Sequence, residues 1–173
     1  MKSKLVIVVG VEGSGTRALT EYLTHYGFVG DVKHEQKYLT DGKYVPVEWQ
    51  KLQNDKCVLR FSVPHASKMV EFEKVTEEAQ KYFDVVKVVY IIRSPKAIPW
   101  GREKNFAKLL GAQEFIIKRL NEKSLTVYYE PFTQHQSYRD QFLVRIGESP
   151  RFEGDPKDVE LFNSSEQRCG GNY

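Results

Sequence analysis

The chain has 173 residues, a net charge of +3, and ten Tyr and ten Phe. It is long enough for one domain with a full core and too aromatic for a disordered chain. The mild positive charge suits an anionic ligand. Lys and Arg are interleaved with Glu and Asp, without the basic stripe of a nucleic-acid binder, so no nucleic-acid partner is expected.

Leu5 to Val9 is a continuous apolar run that predicts a strand buried on both faces. It ends at Gly10 and opens a loop holding Gly10, Gly13 and Gly15. A helix then runs from Gly15 or Thr16 to His25, with Ala18, Leu19, Tyr22 and Leu23 on one face. Phe28 to Val32 is a short strand. Lys33 to Lys56 is polar, with a turn signal at Asp41-Gly42, and reads mainly as a loop of a length that often carries function. Lys56 to Ser62 is a second buried strand. Pro64 then starts a helix with Met69, Phe72, Val75, Ala79 and Tyr82 inward. Val85 to Ile92 is the strongest strand. Past Pro95 and Pro99, a helix to about Lys123 turns Phe106, Leu109, Leu110, Phe115, Ile116 and Leu120 inward. Leu125 to Tyr129 is a further strand and Tyr138 to Ile146 the closing helix. Residues 1–150 thus form a single domain, and 151–173, rich in Pro, Gly, Asn and Ser, a C-terminal tail.

The apolar start is too short for a signal peptide, and no segment has the length to span a membrane. Cys57 and Cys169 give neither a disulfide framework nor metal-ligand spacing. The expectation is a soluble, cytoplasmic protein without a membrane partner or a metal.

Strands alternating with helices predict an α/β fold: three layers, with a central parallel sheet flanked by helices. Ligands of such sheets bind beyond the carboxyl ends of the strands. That places Gly10 to Arg17, Ser62 to His65, Arg93 to Lys96 and Glu130 near one rim.

Strand, glycine loop and helix together hold phosphate, through bare backbone N–H groups and the positive end of the helix. Gly10 and Gly15 have the spacing of the nucleoside-triphosphatase loop. The next residues are Thr16 and Arg17, so the lysine and the Mg²⁺-binding hydroxyl are missing from their usual places. Val85 to Ile92 is followed by Arg93, a cation where a metal-holding carboxylate would serve a kinase. The expectation is a P-loop NTPase-like fold whose loop takes a phosphate without a tightly held metal ion.

The run GVEGSGTRALTEYL resembles the 5′-phosphosulfate loop of sulfotransferases that use 3′-phosphoadenosine 5′-phosphosulfate (PAPS), above all the heparan-type carbohydrate members. Val88 to Lys96 (VVYIIRSPK) is similar to the family's second signature, and Tyr128-Tyr129-Glu130 with the helix ending at Ile146-Gly147 to its late strand and final helix. The resemblance implies PAPS as co-substrate, held by Gly13, Ser14, Gly15, Thr16 and Arg17 at the 5′ end. It also implies Arg93 on the 3′-phosphate, where a guanidinium fork fits. Two positions depart from the family. Gly13 stands where a lysine usually touches the leaving phosphate, and Gly101 where a serine usually meets the 3′-phosphate. Losing that lysine's charge is worth on the order of 2–4 kcal/mol of transition-state stabilisation. Lys33 or Arg17 can substitute for it, and Arg102 or Ser94 for the serine.

Sulfuryl transfer to an alcohol needs a base for the hydroxyl proton. His34 and Glu35 follow the first helix, and His65 follows the second main strand; by position each is a candidate, against the plainer reading of a charged loop and a helix-start histidine. His25 and His135 read as structural or exposed. Tyr38, Tyr44 and Trp49 are either rings for a sugar or aromatic acceptor, or core. The function expected is transfer of a sulfuryl group to a hydroxyl or amine of a small-molecule or carbohydrate acceptor. The alternatives are a Mg²⁺-dependent small-molecule kinase and a non-catalytic nucleotide-binding protein.

Overall fold

The computed structural model describes residues 3–30, 39–40, 43–44, 49–52, 54–63, 72–98, 106–120 and 124–150. Lys33, His34, Glu35, Tyr38, His65, Gly101, Arg102 and the 151–173 tail lie outside these residues, as does the Asp41-Gly42 turn signal.

The sheet is built on β1 (Lys4–Val11), whose residues Leu5 to Val9 are wholly buried. Parallel to it run β5 (Lys56–Val63) on one side and β6 (Val85–Ile92) on the other. The outer strands are β2 (Val29–Gly30), beside β5, and β7 (Leu125–Tyr128), beside β6, giving the order β2-β5-β1-β6-β7. Each fully buried aliphatic side chain here stabilises the fold by about 1.5–3 kcal/mol relative to exposure. That is why these continuous apolar runs become strands covered on both faces.

Alternate residues of β1 feed two cores. Val6 and Val8 pack under α1 (Thr16–Thr24), α4 (Tyr129–Gln134) and α5 (Gln136–Ile146), with Leu19, Tyr22, Leu23, Phe132 and Leu143. Leu5, Ile7 and Val9 face α2 (Phe72–Ala79) and α3 (Phe106–Ile117), with Val75, Ala79, Leu109 and Ile116. The molecule is therefore the three-layer α/β fold with a central parallel sheet that the alternation predicts.

Several local expectations need correction. Tyr82 lies past the end of α2 and is half exposed, stacked on Trp49 at 5.6 Å between ring centroids. Trp49 itself is core: it is buried in a 3₁₀ turn (Trp49–Leu52) against Phe83, so it does not offer its ring to a ligand. Leu110 faces outward on α3, where Leu109, Ala112 and Ile116, with Phe115 partly buried beside them, meet the core. The polar stretch after β2 contains a short hairpin, β3 (Leu39–Thr40) with β4 (Lys43–Tyr44). Tyr129 belongs to a helix. Its aromatic, strand-like character loses to Pro131, which sits in a first helical turn where its missing N–H costs nothing.

At the amino end of the sheet, Glu148 joins three elements. Its carboxylate accepts Lys4 Nζ at 2.6 Å and Lys56 Nζ at 2.5 Å, tying β1 and β5 to the residue just past α5. Burial pushes the Glu148 carboxyl up, but the hydrogen bonds and charges of the two lysines outweigh it and hold it below the ordinary value.

Candidate functional site

The register aligns the carboxyl ends of the three central strands: Gly10 pairs with Ser62 on one side and Ile91 on the other. The chain leaves β1 toward the β5 side and leaves β6 toward the β7 side, so β1 and β6 flank the switch point where open α/β sheets bind ligands. The glycine loop and Arg93 meet there.

Two glycines make the loop possible. A Cβ on Gly10 would fall 2.4 Å from Ser14 Oγ and 2.6 Å from Ile91 Cγ2, so the strand must end without a side chain. Gly15 starts α1 in the left-handed region, at φ 99°, and lies against the ring of Tyr129. Ser14 N donates to Val11 O at 2.8 Å, which folds the loop back over the strand end. The first turn of α1 carries neither a side-chain cap nor an acidic residue, so its N–H groups and partial positive charge are uncompensated within the helix.

Around this loop, polar groups are buried and unsatisfied. Ser14 is 1% exposed. Its Oγ, Arg17 Nε and Arg93 Nε are buried and lack a hydrogen-bond partner among the described residues. Buried polar atoms normally find one, and leaving one unmade costs about 1–3 kcal/mol. Three such atoms around one helix N-terminus fit an anion in the loop.

Arg93 is held from three sides. Its Nη1 donates to Gly13 O at 3.1 Å, its guanidinium lies 4.3 Å from the centre of the Tyr129 ring, and its own carbonyl accepts Gln113 Nε2 at 2.8 Å. Ser94 N donates to Glu130 Oε1 at 3.2 Å, bringing Glu130 to the same rim. On the other side of the loop, Thr16 Oγ1 and Ser62 Oγ stand 3.4 Å apart, a neutral hydroxyl pair.

The structure thus brings together Gly13, Ser14, Gly15, Thr16, Arg17 and Arg93 from the sequence-predicted site. His25 and His135 are exposed. Arg60, 5% exposed on β5 two residues before Ser62, is a buried cation that no motif marks. A lone arginine inside the apolar run KCVLRFS was the available signal. Tyr129 reads in the sequence only as part of a strand. A small hollow lined by Val11, Ser14, Ile91, Arg93, Gln113 and Ile116 has room for about one water molecule, too little for a nucleoside.

No protein-family model and no curated protein sequence matches the chain. Among solved structures, the chain resembles the sulfotransferase domain of the olefin synthase from Synechococcus PCC 7002. The TM-score is 0.54 at 12% identity, over 100% of this chain and 90% of that one. It also resembles the mouse sulfotransferase SULT7A1, solved with PAP, with a TM-score of 0.53 at 13% identity over 99% of this chain and 68% of that one. At such identities the likeness shows the fold alone: a sulfotransferase-like, P-loop-like α/β fold.

Proposed function

We propose that the protein binds PAPS at the glycine loop and transfers its sulfuryl group to a hydroxyl or amine of a small-molecule or carbohydrate acceptor. The observation that carries this reading is the set of buried, unpartnered polar atoms on Ser14, Arg17 and Arg93 around the open N-terminus of α1. The fold it shares with sulfotransferases, one of them solved with PAP, supports the same ligand.

When bound, the co-substrate supplies a sulfuryl group whose S–O bond to the 5′-phosphate breaks as the acceptor atom attacks in line, the electron pair staying on the phosphate. Ser14, Thr16 and Arg17 hold the 5′ end with hydroxyl, N–H and guanidinium donors. These preset donors need no reorganisation as negative charge grows on the leaving phosphate. The acceptor's proton passes to a base, for which His34, Glu35 and His65 are the candidates by sequence position. Lys33 and Arg102 are the further cations the resemblance offers, toward the leaving phosphate and the 3′-phosphate.

Two features weigh against a Mg²⁺-dependent kinase. The strands flanking β1 bring the Ser62 hydroxyl and the Arg93 guanidinium to the loop, and neither is the carboxylate that phosphoryl transfer uses to hold the ion. Gly13 favours the second reading, a binder without turnover. The discriminating experiment incubates the protein with PAPS and a panel of alcohol, amine and oligosaccharide acceptors in EDTA, and measures release of the bisphosphate product. Acceptor-dependent release, reduced about tenfold or more in Ser14→Ala, supports the transferase. Binding without release supports the non-catalytic reading, and absence of both removes PAPS as the ligand.

A further inference from the structure

Arg93 sits against the glycine loop, and this gives it a task at the 5′ end of the ligand. Its Nη1 bonds the carbonyl of Gly13, the position where the loop lacks a cationic side chain. A guanidinium has five N–H donors. One goes to Gly13 O, Nε is buried without a partner, and no carboxylate pairs with the group among the described residues. Among the described residues, most of the donor fork and the full charge are therefore left for an anion in the loop.

The support of this cation is built in. The Tyr129 ring lies beneath the guanidinium at 4.3 Å and also lies against Gly15, so one aromatic face aligns Arg93 with the helix-opening residue of the loop. Gln113 on α3 fixes the backbone of Arg93.

Resting on the PAPS reading, we infer that Arg93 supplies the positive charge of the 5′-phosphate loop in place of a loop lysine, and that Tyr129 is the residue that positions it. The strand next to β1 thereby lends the loop the cation its own sequence lacks. The 5′-phosphate and Arg93 are then coupled whether or not the ligand carries a 3′-phosphate.

The test titrates wild type, Arg93→Ala and Arg93→Lys with adenosine 5′-monophosphate and with adenosine 3′,5′-bisphosphate, both in EDTA. Circular dichroism and a melting curve confirm that each variant is folded. The expected result is that Arg93→Ala weakens both ligands by a similar factor, about tenfold or more, and that Arg93→Lys recovers part of the loss. Loss confined to the bisphosphate would overturn the inference while leaving the PAPS reading in place. Equal affinity of the wild type for both ligands, with both weakened in Arg93→Ala, would overturn the PAPS reading and keep the inference. Binding of neither ligand to the wild type overturns both. Should Arg93→Ala not fold, Tyr129 decides: Tyr129→Phe keeps the ring and the monophosphate affinity, whereas Tyr129→Leu loses affinity. Equal affinity of these two variants and the wild type would refute the positioning role.

Discussion

The ring of Tyr129 occupies the space that a side chain on Gly15 would need. A Cβ at Gly15 would fall 2.2 Å from Cδ2 and 2.4 Å from Cε2 of that ring, on a backbone whose φ of 99° already disfavours any other residue. The loop and α4 are therefore fitted to each other through a missing side chain.

Gly15→Ala should lose ligand binding and cost about 1–3 kcal/mol of stability, from left-handed strain and the clash together. Pairing it with Tyr129→Leu opens the space but leaves the backbone strain, so the double variant should lose less stability than the two single losses added together. Chemical denaturation of the three variants checks this, and full additivity of the single losses would argue against a direct contact.

Glu148 makes stability depend on pH. Its folded-state carboxyl is held low by Lys4 and Lys56 against the upward push of burial. A group depressed on folding contributes stability above its unfolded value, near 4.3, and loses it as pH falls through the lower folded value. Denaturation curves between pH 7 and pH 3 should show this acid loss. Glu148→Gln should be about 1–3 kcal/mol less stable at pH 7 and show a flatter acid limb.

Arg139 is 2% exposed and donates from Nη1 to Phe132 O at 2.9 Å and Thr133 O at 3.3 Å, carbonyls near the end of α4. Arg139→Met leaves those carbonyls without this donor and should cost about 2–3 kcal/mol. At about 2–4 °C per kcal/mol for a chain of this size, calorimetry should record a clear fall in melting temperature. Because α4 begins at Tyr129, affinity for the 5′-phosphate should fall as well.

Cys57 is wholly buried, and burial pushes its thiol up despite a hydrogen bond to the backbone at Asn54. It should resist thiol reagents in the native state and react on unfolding. Labelling of a Cys169→Ser variant with and without denaturant measures this directly, and rapid native labelling would contradict the burial.

Much of this was legible in the chain because the signals are physical and local. The runs Leu5 to Val9, Lys56 to Ser62 and Val85 to Ile92 are too apolar to face water on either side, and all three are central strands. Gly10, Gly13 and Gly15 announce a loop that no other residues would allow. What stayed hidden depends on partners distant in sequence. Tyr129 looks like a strand residue until Gly15 and Arg93 surround it, and Arg60 looks like one surface cation among many until β5 buries it. Trp49 carries no local mark that Tyr82 and Phe83 will claim its ring. Leu110 follows Leu109 by one residue, a rotation of about 100° around the helix axis that carries it off the sheet.

On the reading proposed above, the loop between β1 and α1 holds a phosphate of a 3′-phosphorylated adenosine nucleotide without a metal ion. Calorimetric titration with adenosine 3′,5′-bisphosphate in EDTA, with ATP and Mg²⁺ in parallel, tests it most directly. The expected result is saturable bisphosphate binding that survives the chelator, exceeds that of ATP with Mg²⁺, and weakens about tenfold or more in Arg93→Ala. Binding of ATP with Mg²⁺ alone would contradict it and make the protein a kinase candidate.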